Sequence, residues 1–232
     1  PPVFSAKPPQ KRFHSFNNSG HYTSACGPAI YRDEILFGAS DDVTHAFTCE
    51  PFHNVVQHHW LTNDGVSFQG QRAETNEAFD FFASADRWCR PVLVRTGPDG
   101  ALWVVDMYRY LIEHPDWLPV EAREELKPYY RAGESFGRIY RIYPKGSARP
   151  PLPGPSAETI DGLVAQLVSS NGVLRDKAQQ QLVTNLEQDA VPALRQLLRQ
   201  HEQATARLHA LATLSGVSRV SHDDIIVALN DP

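Results

Sequence analysis

Short apolar runs separated by turn residues fill the first 143 positions of the sequence. Runs of this kind, rich in Val, Phe, Tyr and Trp and bounded by Gly, Pro, Asn or Asp, predict β-strands. The predicted strands cover 45–50, 54–62, 66–69, 90–96, 101–106 and 137–143. The sequences Asn63-Asp64-Gly65 and Gly97-Pro98-Asp99-Gly100 are typical of tight turns, because glycine accepts a positive φ and the ring of proline fixes its own φ at a value that suits a turn. The pattern therefore predicts antiparallel hairpins, with helical insertions at 74–84 and 120–130.

A helical period replaces the strand pattern from about position 160. Apolar residues then recur at spacings of three and four, which is typical of one buried helix face. Val191, Leu194 and Leu198 repeat the spacing of Ile160, Leu163 and Leu167 at an offset of 31, and Arg207, Ala210 and Leu214 repeat Arg175, Ala178 and Leu182 at an offset of 32. A constant offset between helix pairs predicts a helical repeat array. We expect Asp223–Leu229 to begin a fifth helix of an array that continues.

A proline-rich stretch at 150–155 separates the two patterns and predicts an extended linker. The region before it favours a β-propeller over a β-sandwich, because short hairpins recur at regular spacing. We therefore expect a mixed chain, in which partial β-propeller blades are followed by an all-α, HEAT-like helical repeat domain. The predicted order is a loop or incomplete strand region, the propeller blades, the linker and the helical repeats, at 1–25, 26–149, 150–155 and 156–232.

Composition supports two separate cores. All 23 aromatic residues lie between Phe4 and Tyr143, so the helical half must close on aliphatic side chains alone. The formal net charge of −5 offers no basic face for a phosphate backbone, which argues against nucleic acid as a partner. No run approaches the roughly 18 apolar residues of a membrane span.

The three cysteines allow two interpretations. No Cys-x-x-Cys pair is present, so neither a zinc site nor a haem-attachment site is predicted. Cys26 and Cys49 could pair in an oxidising compartment, or all three cysteines, with Cys89, could be small buried thiols.

A series of motifs between Cys26 and Ile142 resembles the planctomycete-type membrane-bound dehydrogenases. These proteins have a propeller similar to that of the quinone-dependent glucose/sorbosone dehydrogenases, followed by HEAT-type repeats and commonly by a c-type cytochrome domain. The motifs are Cys26-Gly27-x-x-x-Tyr31-Arg32, Cys49-Glu50-Pro51-x-His53-Asn54-x-Val56, Asp86-x-x-x-Arg90-Pro91, Gly97-Pro98-Asp99-Gly100-Ala101-Leu102-x-Val104-x-Asp106-x-Tyr108, Ile112-x-His114 and Gly137-Arg138-Ile139-Tyr140-Arg141-Ile142.

The resemblance implies a parent protein that oxidises a sugar or polyol with pyrroloquinoline quinone (PQQ) and calcium, in the periplasm or cell envelope. Two departures limit what it implies for this chain. The cytochrome motif Cys-x-x-Cys-His is absent, and the early blades, which supply much of the catalytic apparatus in the soluble quinoprotein relatives, including the base, are missing. The strand after Asn54 also carries Gln57-His58 where the family more often has His-Arg, so no catalytic role is carried over to that strand. We therefore expect this chain to be a fragment that is inactive by itself.

Four residues are candidates for chemistry at a propeller mouth. Arg90 opens a strand, and its guanidinium could clamp a carboxylate of the quinone or a sugar hydroxyl, while Arg109 is a second candidate for cofactor binding. Asp106 ends an apolar strand, where a carboxylate needs a partner, and His114 precedes a proline in a loop. The alternative for Arg90 is an ion pair with Asp86 or Asp106 that fixes the strand.

The clustered histidines at 53, 58 and 59 predict no metal site, because His58 and His59 would point to opposite faces of a strand. Arg175 and Arg207 occupy equivalent positions, and we expect internal pairing there, for example with Asp176 or Asp161. A second functional hypothesis is a non-catalytic scaffold that binds protein or carbohydrate through propeller and solenoid surfaces, with the helical repeats as the expected site of a protein partner.

Overall fold

The computed structural model describes residues 2–7, 20–39, 43–74, 77–148, 151–152, 159–185 and 187–231. These residues form two compact units. The first comprises Pro1–Tyr31, Phe37–Thr96 and Ala101–Lys145, and the second comprises Arg32–Leu36, Gly97–Gly100 and Gly146–Pro232.

A five-stranded antiparallel sheet dominates the first unit. Its strands are β1 (Cys26–Ile30), β2 (Thr44–Glu50), β3 (Val55–Asp64), β4 (Ser67–Arg72) and β5 (Phe82–Ala83), in the order β1-β2-β3-β4 with β5 also paired to β3. The β3–β4 hairpin confirms the predicted turn, since Asp64 pairs with Ser67 and Gly65 has a φ of 60°. Phe47, Val55 and Val56 are fully buried on this sheet.

The second sheet of this unit has three strands, β6 (Pro91–Thr96), β7 (Leu102–Asp106) and β8 (Arg138–Ile142), in that order. β1 and β2 contact β6, and Gly27 permits this approach. A Cβ at position 27 would collide with the carbonyl oxygen of Val92 and the Cα of Leu93. Because Gly27 also has a φ of 55°, only glycine fits here without strain.

The segment between β7 and β8 contains the short helix α1 (Val120–Leu126), followed by a turn of 3₁₀ helix at Lys127–Tyr129. A small buried cluster joins α1 to the segment before it. Its members are Ala122 and Leu126 of α1 together with Leu111 and Leu118. The helical insertion predicted at 120–130 is therefore confirmed.

The second unit contains five helices among its described residues. They are α2 (Ile160–Gln166), α3 (Gly172–Thr184), α4 (Val191–Gln200), α5 (Ala204–Gly216) and α6 (His222–Leu229). Side chains cap three of the N-termini, since Thr159, Asn171 and Ser221 accept hydrogen bonds from backbone N–H groups of the first turn. The core is aliphatic and includes Leu163, Leu167, Leu182, Leu194, Leu198 and Leu214.

The offset of 32 seen in the sequence recurs in the contacts of two arginines. Arg175 donates to the carbonyls of Ser169 and Ser170, and Arg207 donates to those of His201 and Glu202, which lie 32 positions later. The acidic partners found in the structure differ from those that the sequence predicts for these two arginines. Arg207 pairs with Asp231, while Asp176 accepts a bidentate pair from Arg32.

The predicted fold class is wrong. Over the described residues the two antiparallel sheets form no closed barrel or propeller, which would need roughly four or more four-stranded blades around an axis. The helices do not form an all-α HEAT domain either, because their compact unit includes 32–36 and 97–100. Asn171 Nδ2 donates to the carbonyl of Gly97 at 2.8 Å, and Gly172 N donates to that of Arg32 at 2.8 Å. The protein is an α/β mix of two small sheets and six α-helices among the described residues.

The helix predicted at 74–84 is also wrong, because the described residues 77–84 contain bends and the two-residue strand β5. Most of the predicted 1–25 loop region and of the 150–155 linker lies outside the described residues. Within the described part of the chain, no helix is long and apolar enough to cross a membrane.

Candidate functional site

Asp106, at the end of β7, lies at the centre of the residues that the sequence singles out. Its Oδ1 accepts hydrogen bonds from the backbone N–H groups of Arg90 at 2.7 Å and Tyr108 at 2.8 Å. Its Oδ2 accepts one from Arg138 Nε at 2.6 Å, and Arg138 also binds Asp86 at 2.8 Å. The buried carboxylate therefore has partners on both oxygens, and these partners join the start of β6, the end of β7 and the start of β8.

Arg90 is a buried hub of backbone contacts. Its guanidinium donates to four carbonyls, those of Pro51, Phe52, Arg109 and Tyr110, at 2.7–3.3 Å. Burial lowers the pKa of Arg90 from its ordinary value. The residue ties the loop between β2 and β3 to the segment after β7, whereas the expected acidic partners, Asp86 and Asp106, bind Arg138 instead.

Arg109 makes similar contacts on the other side of the same segment. It donates to the carbonyls of Met107, Tyr108 and Gly133, and more weakly to that of Glu134 at 3.4 Å. Gly133 has a φ of 93°, and a Cβ there would collide with the carbonyl oxygen of Tyr108. Arg109 therefore helps to fix two segments that approach each other closely.

His114 lies apart from this group. Its side chain is 65% exposed, and its Nδ1 accepts a hydrogen bond from the N–H of Asp116, which caps the 3₁₀ turn Pro115–Trp117. The structure thus brings together three of the four candidate residues, Arg90, Asp106 and Arg109, and leaves His114 outside.

The contacts of these residues do not fit the quinone and calcium that the resemblance implies. Clamping a carboxylate needs parallel N–H donors of an arginine, but Arg90 and Arg109 direct theirs at backbone carbonyls. A calcium ion needs several converging oxygens, and both oxygens of Asp106 already accept hydrogen bonds. Among the described residues no group of three or more His, Cys, Asp or Glu side chains could hold a metal ion.

A second polar cluster, which the sequence reasoning missed, lies in the five-stranded sheet. Glu74 Oε1 lies 2.8 Å from His58 Nδ1, and His58 Nε2 lies 2.8 Å from His45 Nδ1. We call these three residues the relay. His45 and His58 are 7% and 2% exposed, and Phe37 stacks on His45 with ring centroids 3.8 Å apart.

The hydrogen bonds of the relay can form in two protonation states. In the neutral state His58 donates from Nδ1 to Glu74 and accepts at Nε2 from His45. When one proton is added, His58 donates from both nitrogens and the chain of hydrogen bonds survives. A second proton would make both facing nitrogens donors and break the bond between the two imidazoles. The hydrogen bonds therefore link the Glu74 carboxylate to His45 through the His58 ring.

Register explains why the relay is hard to find in the sequence. Phe47 pairs with His58 and His45 pairs with Trp60, so His45 and His58 are diagonal neighbours on β2 and β3. Both strands were predicted, but their register was not. Glu74 follows the end of β4 and carries no motif, so only the three-dimensional structure identifies it.

Two further buried carboxylates have complete sets of partners nearby. Glu50 accepts hydrogen bonds from Thr23 and Ser24, and His53 Nδ1 lies 3.5 Å from it. Burial by itself would raise the pKa of Glu50, but the close contact with His53 and the hydrogen bonds from Ser24 and Thr23 outweigh it and hold that pKa below its ordinary value. Asp80 accepts from Arg72, from Gln57 and from the N–H of Phe4. These carboxylates are anchors of the fold.

Comparison with known families identifies a domain family for most of the first unit. The family model of the domain of unknown function DUF7133 matches residues 1–146, more than half of the chain, and this range includes the Arg90–Asp106–Arg109 group and the relay. No curated protein and no solved structure matches the chain. The chain belongs to the DUF7133 family.

Proposed function

We propose that this chain is a non-catalytic part of a quinone-dependent sugar or polyol dehydrogenase of the periplasm or cell envelope. The motifs that resemble those dehydrogenases lie within the DUF7133 region. The non-catalytic role rests on the hydrogen bonds of Arg90 and Arg109. Without the weak contact to Glu134, their guanidinium groups donate to seven different backbone carbonyls. These side chains hold strands and loops together, and any cofactor pocket of the parent enzyme lies on other residues.

A dye-reduction assay tests this proposal. The purified chain and the full natural gene product that contains it are each incubated with PQQ, calcium and a panel of aldoses and polyols. We expect the full gene product to reduce the dye and the isolated chain to give only the background rate. Turnover by the isolated chain would overturn the non-catalytic role. No quinone binding and no reduction by the full gene product would overturn the dehydrogenase assignment and leave the scaffold hypothesis.

The relay favours a second candidate function, in which this chain supplies the proton acceptor for oxidation of the substrate hydroxyl. A hydrogen bond to one ring nitrogen of a histidine fixes its tautomer and its orientation, so that the other nitrogen can accept a proton. His58 would hold the His45 ring, Glu74 would hold the His58 ring, and His45 would receive the proton. The Phe37 ring against His45 would limit access of water to the pair.

Glu74→Gln tests the second candidate, because it keeps an acceptor for His58 but removes the negative charge. In the full gene product we expect the rate of dye reduction to fall at least about tenfold and its pH profile to move, with little change in the midpoint of urea unfolding. His222→Gln, at an exposed histidine in α6, is the control. An unchanged pH profile in Glu74→Gln would eliminate the proton-acceptor role and leave the non-catalytic proposal.

A further inference from the structure

Cys26 and Cys49 lie directly opposite each other on adjacent antiparallel strands, β1 and β2. Opposed residues in such a pair have Cα atoms about 4.5 or 5.5 Å apart, and disulfides span Cα separations of about 4.4–6.8 Å. Both residues are free thiols in the structure. We propose that Cys26 and Cys49 are a redox pair, which a disulfide-containing oxidant converts to an intramolecular disulfide.

The two thiols differ in access, which sets the order of the reaction. Cys26 is half-buried at the start of β1, and its Sγ lies 3.5 Å from the carbonyl oxygen of Val92. Cys49 is fully buried. An external disulfide can therefore reach Cys26 first, and Cys49 follows as the resolving thiol.

The chemistry is an ordinary double exchange. The thiolate of Cys26 attacks the external disulfide and forms a mixed disulfide, with release of one external thiolate. The thiolate of Cys49 then attacks the Cys26 sulfur, and the second external thiolate leaves. The protons of the two cysteines end on the two external thiols, so the protein is oxidised by two electrons and the external disulfide is reduced by two.

The surroundings of Cys49 predict a slow reaction that accelerates with pH. Burial is the main cause that raises the pKa of Cys49 to about 12, with smaller upward contributions from Cys26 and Cys89 and a downward one from Arg95 included in that value. Burial and Glu50 raise the pKa of Cys26 as well. Since only the thiolate reacts, the rate of the resolving step should rise about tenfold per pH unit in the neutral to alkaline range.

Cys89 provides an internal control for the oxidation of Cys26 and Cys49. It is buried, and the hydroxyl groups of Ser84 and Tyr140 lie against its thiol. Cys89 lies just before the start of β6 and takes no part in the pairing of β1 with β2. The same oxidant should leave it reduced.

Peptide mapping of the oxidised protein tests the proposal without any substitution. The reduced full chain is incubated with oxidised glutathione, quenched with acid and digested with trypsin. Cleavage after Arg32, Arg72 and Arg87 places the three cysteines in three different peptides. We expect one linked species that joins the Cys26 and Cys49 peptides, while the Cys89 peptide stays free.

Two variants and a stability measurement complete the test. Cys26→Ser should abolish the linked species and Cys89→Ser should retain it. The disulfide would close the loop from 26 to 49, so the oxidised protein should unfold at a higher urea concentration than the reduced protein. Three free thiols after prolonged exposure, glutathione retained on Cys26 alone, or a Cys49–Cys89 linkage in the wild type would each overturn the proposal.

Discussion

The two units bury different kinds of side chain. In the first unit the buried set includes His45, Glu50, Gln57, Arg90 and Asp106 beside aromatic rings. In the second unit the core is formed by leucine, alanine and valine, and buried polar groups such as Asn171 and Asp224 lie at helix starts. The first unit therefore depends on matched hydrogen bonds, and the second depends mainly on the volume of its aliphatic core.

This difference affects how a candidate site should be judged. A buried arginine or aspartate draws attention as a functional residue, but in the first unit such groups join strands and loops that lie far apart in sequence. Burying a charge without partners is costly, so each of these groups has several. A side chain whose donors already bind backbone carbonyls has few left for a ligand. By this criterion Arg90 and Arg109 are structural residues.

The largest expected effect is in the first unit. Arg90→Ala leaves four backbone carbonyls without their donor, and we expect it to lower the free energy of unfolding by about 3–5 kcal/mol. Urea unfolding followed by tryptophan fluorescence measures the loss. Arg131→Ala, at an 83% exposed side chain, is the control and should stay within about 0.5 kcal/mol. Equal stability of the two variants would contradict the role given to Arg90.

An effect of nearly the same size is expected from the second unit, for a different reason. Leu194 on α4 is fully buried, and Leu194→Ala should cost about 3 kcal/mol through lost apolar burial and the cavity left behind. Leu208→Ala, at a 63% exposed leucine on α5, should cost no more than about 0.5 kcal/mol. Far-ultraviolet circular dichroism follows the unfolding of the helices. Similar losses in the two variants would mean that the aliphatic core is not where the structure places it.

A smaller effect depends on pH. Burial would raise the pKa of Asp224, but hydrogen bonds from Ser221 and Arg195 outweigh it and lower that pKa from 3.8 to about 2. A depressed pKa means that the stabilising contribution is complete above about pH 4 and is lost as the pH falls towards about 2. We expect Asp224 to contribute about 1–2 kcal/mol in this way.

The difference in unfolding free energy between wild type and Asp224→Asn isolates this contribution from other acidic groups. It should be largest near neutral pH and shrink below about pH 4. A difference that stays constant over this range would show that the Asp224 carboxylate is not held by the contacts that Ser221, Arg195 and Arg199 make.

Local patterns were sufficient to predict most elements. The hairpin of β6 and β7 was predicted because Pro98-Asp99-Gly100 determines the turn, and Gly100 has the expected positive φ of 77°. Helices α2 to α5 were predicted because their apolar residues share one face. These signals are local, so they carry no information on whether the sheets close into a propeller, and that prediction was wrong.

Long-range contacts explain the other differences. The segment after Glu74 is rich in helix-compatible residues, but Arg72 donates to the carbonyl of Phe79, and Asp80 accepts the N–H of Phe4. These contacts favour an extended path over the helical propensity. The relay depends on the register between β2 and β3, which no single strand shows. Three of the four candidate residues were found together because a charged residue at a strand end needs partners, but the identity of those partners required the structure.

Binding of the quinone to the folded chain tests most directly whether Arg90 and Arg109 hold backbone rather than ligand. PQQ is titrated, with calcium present, into the wild type and into Arg109→Gln, and the quenching of tryptophan fluorescence is recorded. We predict no saturable binding that depends on Arg109, with the same weak, linear quenching in both proteins. Stoichiometric binding to the wild type that is lost in a folded Arg109→Gln variant would contradict the account.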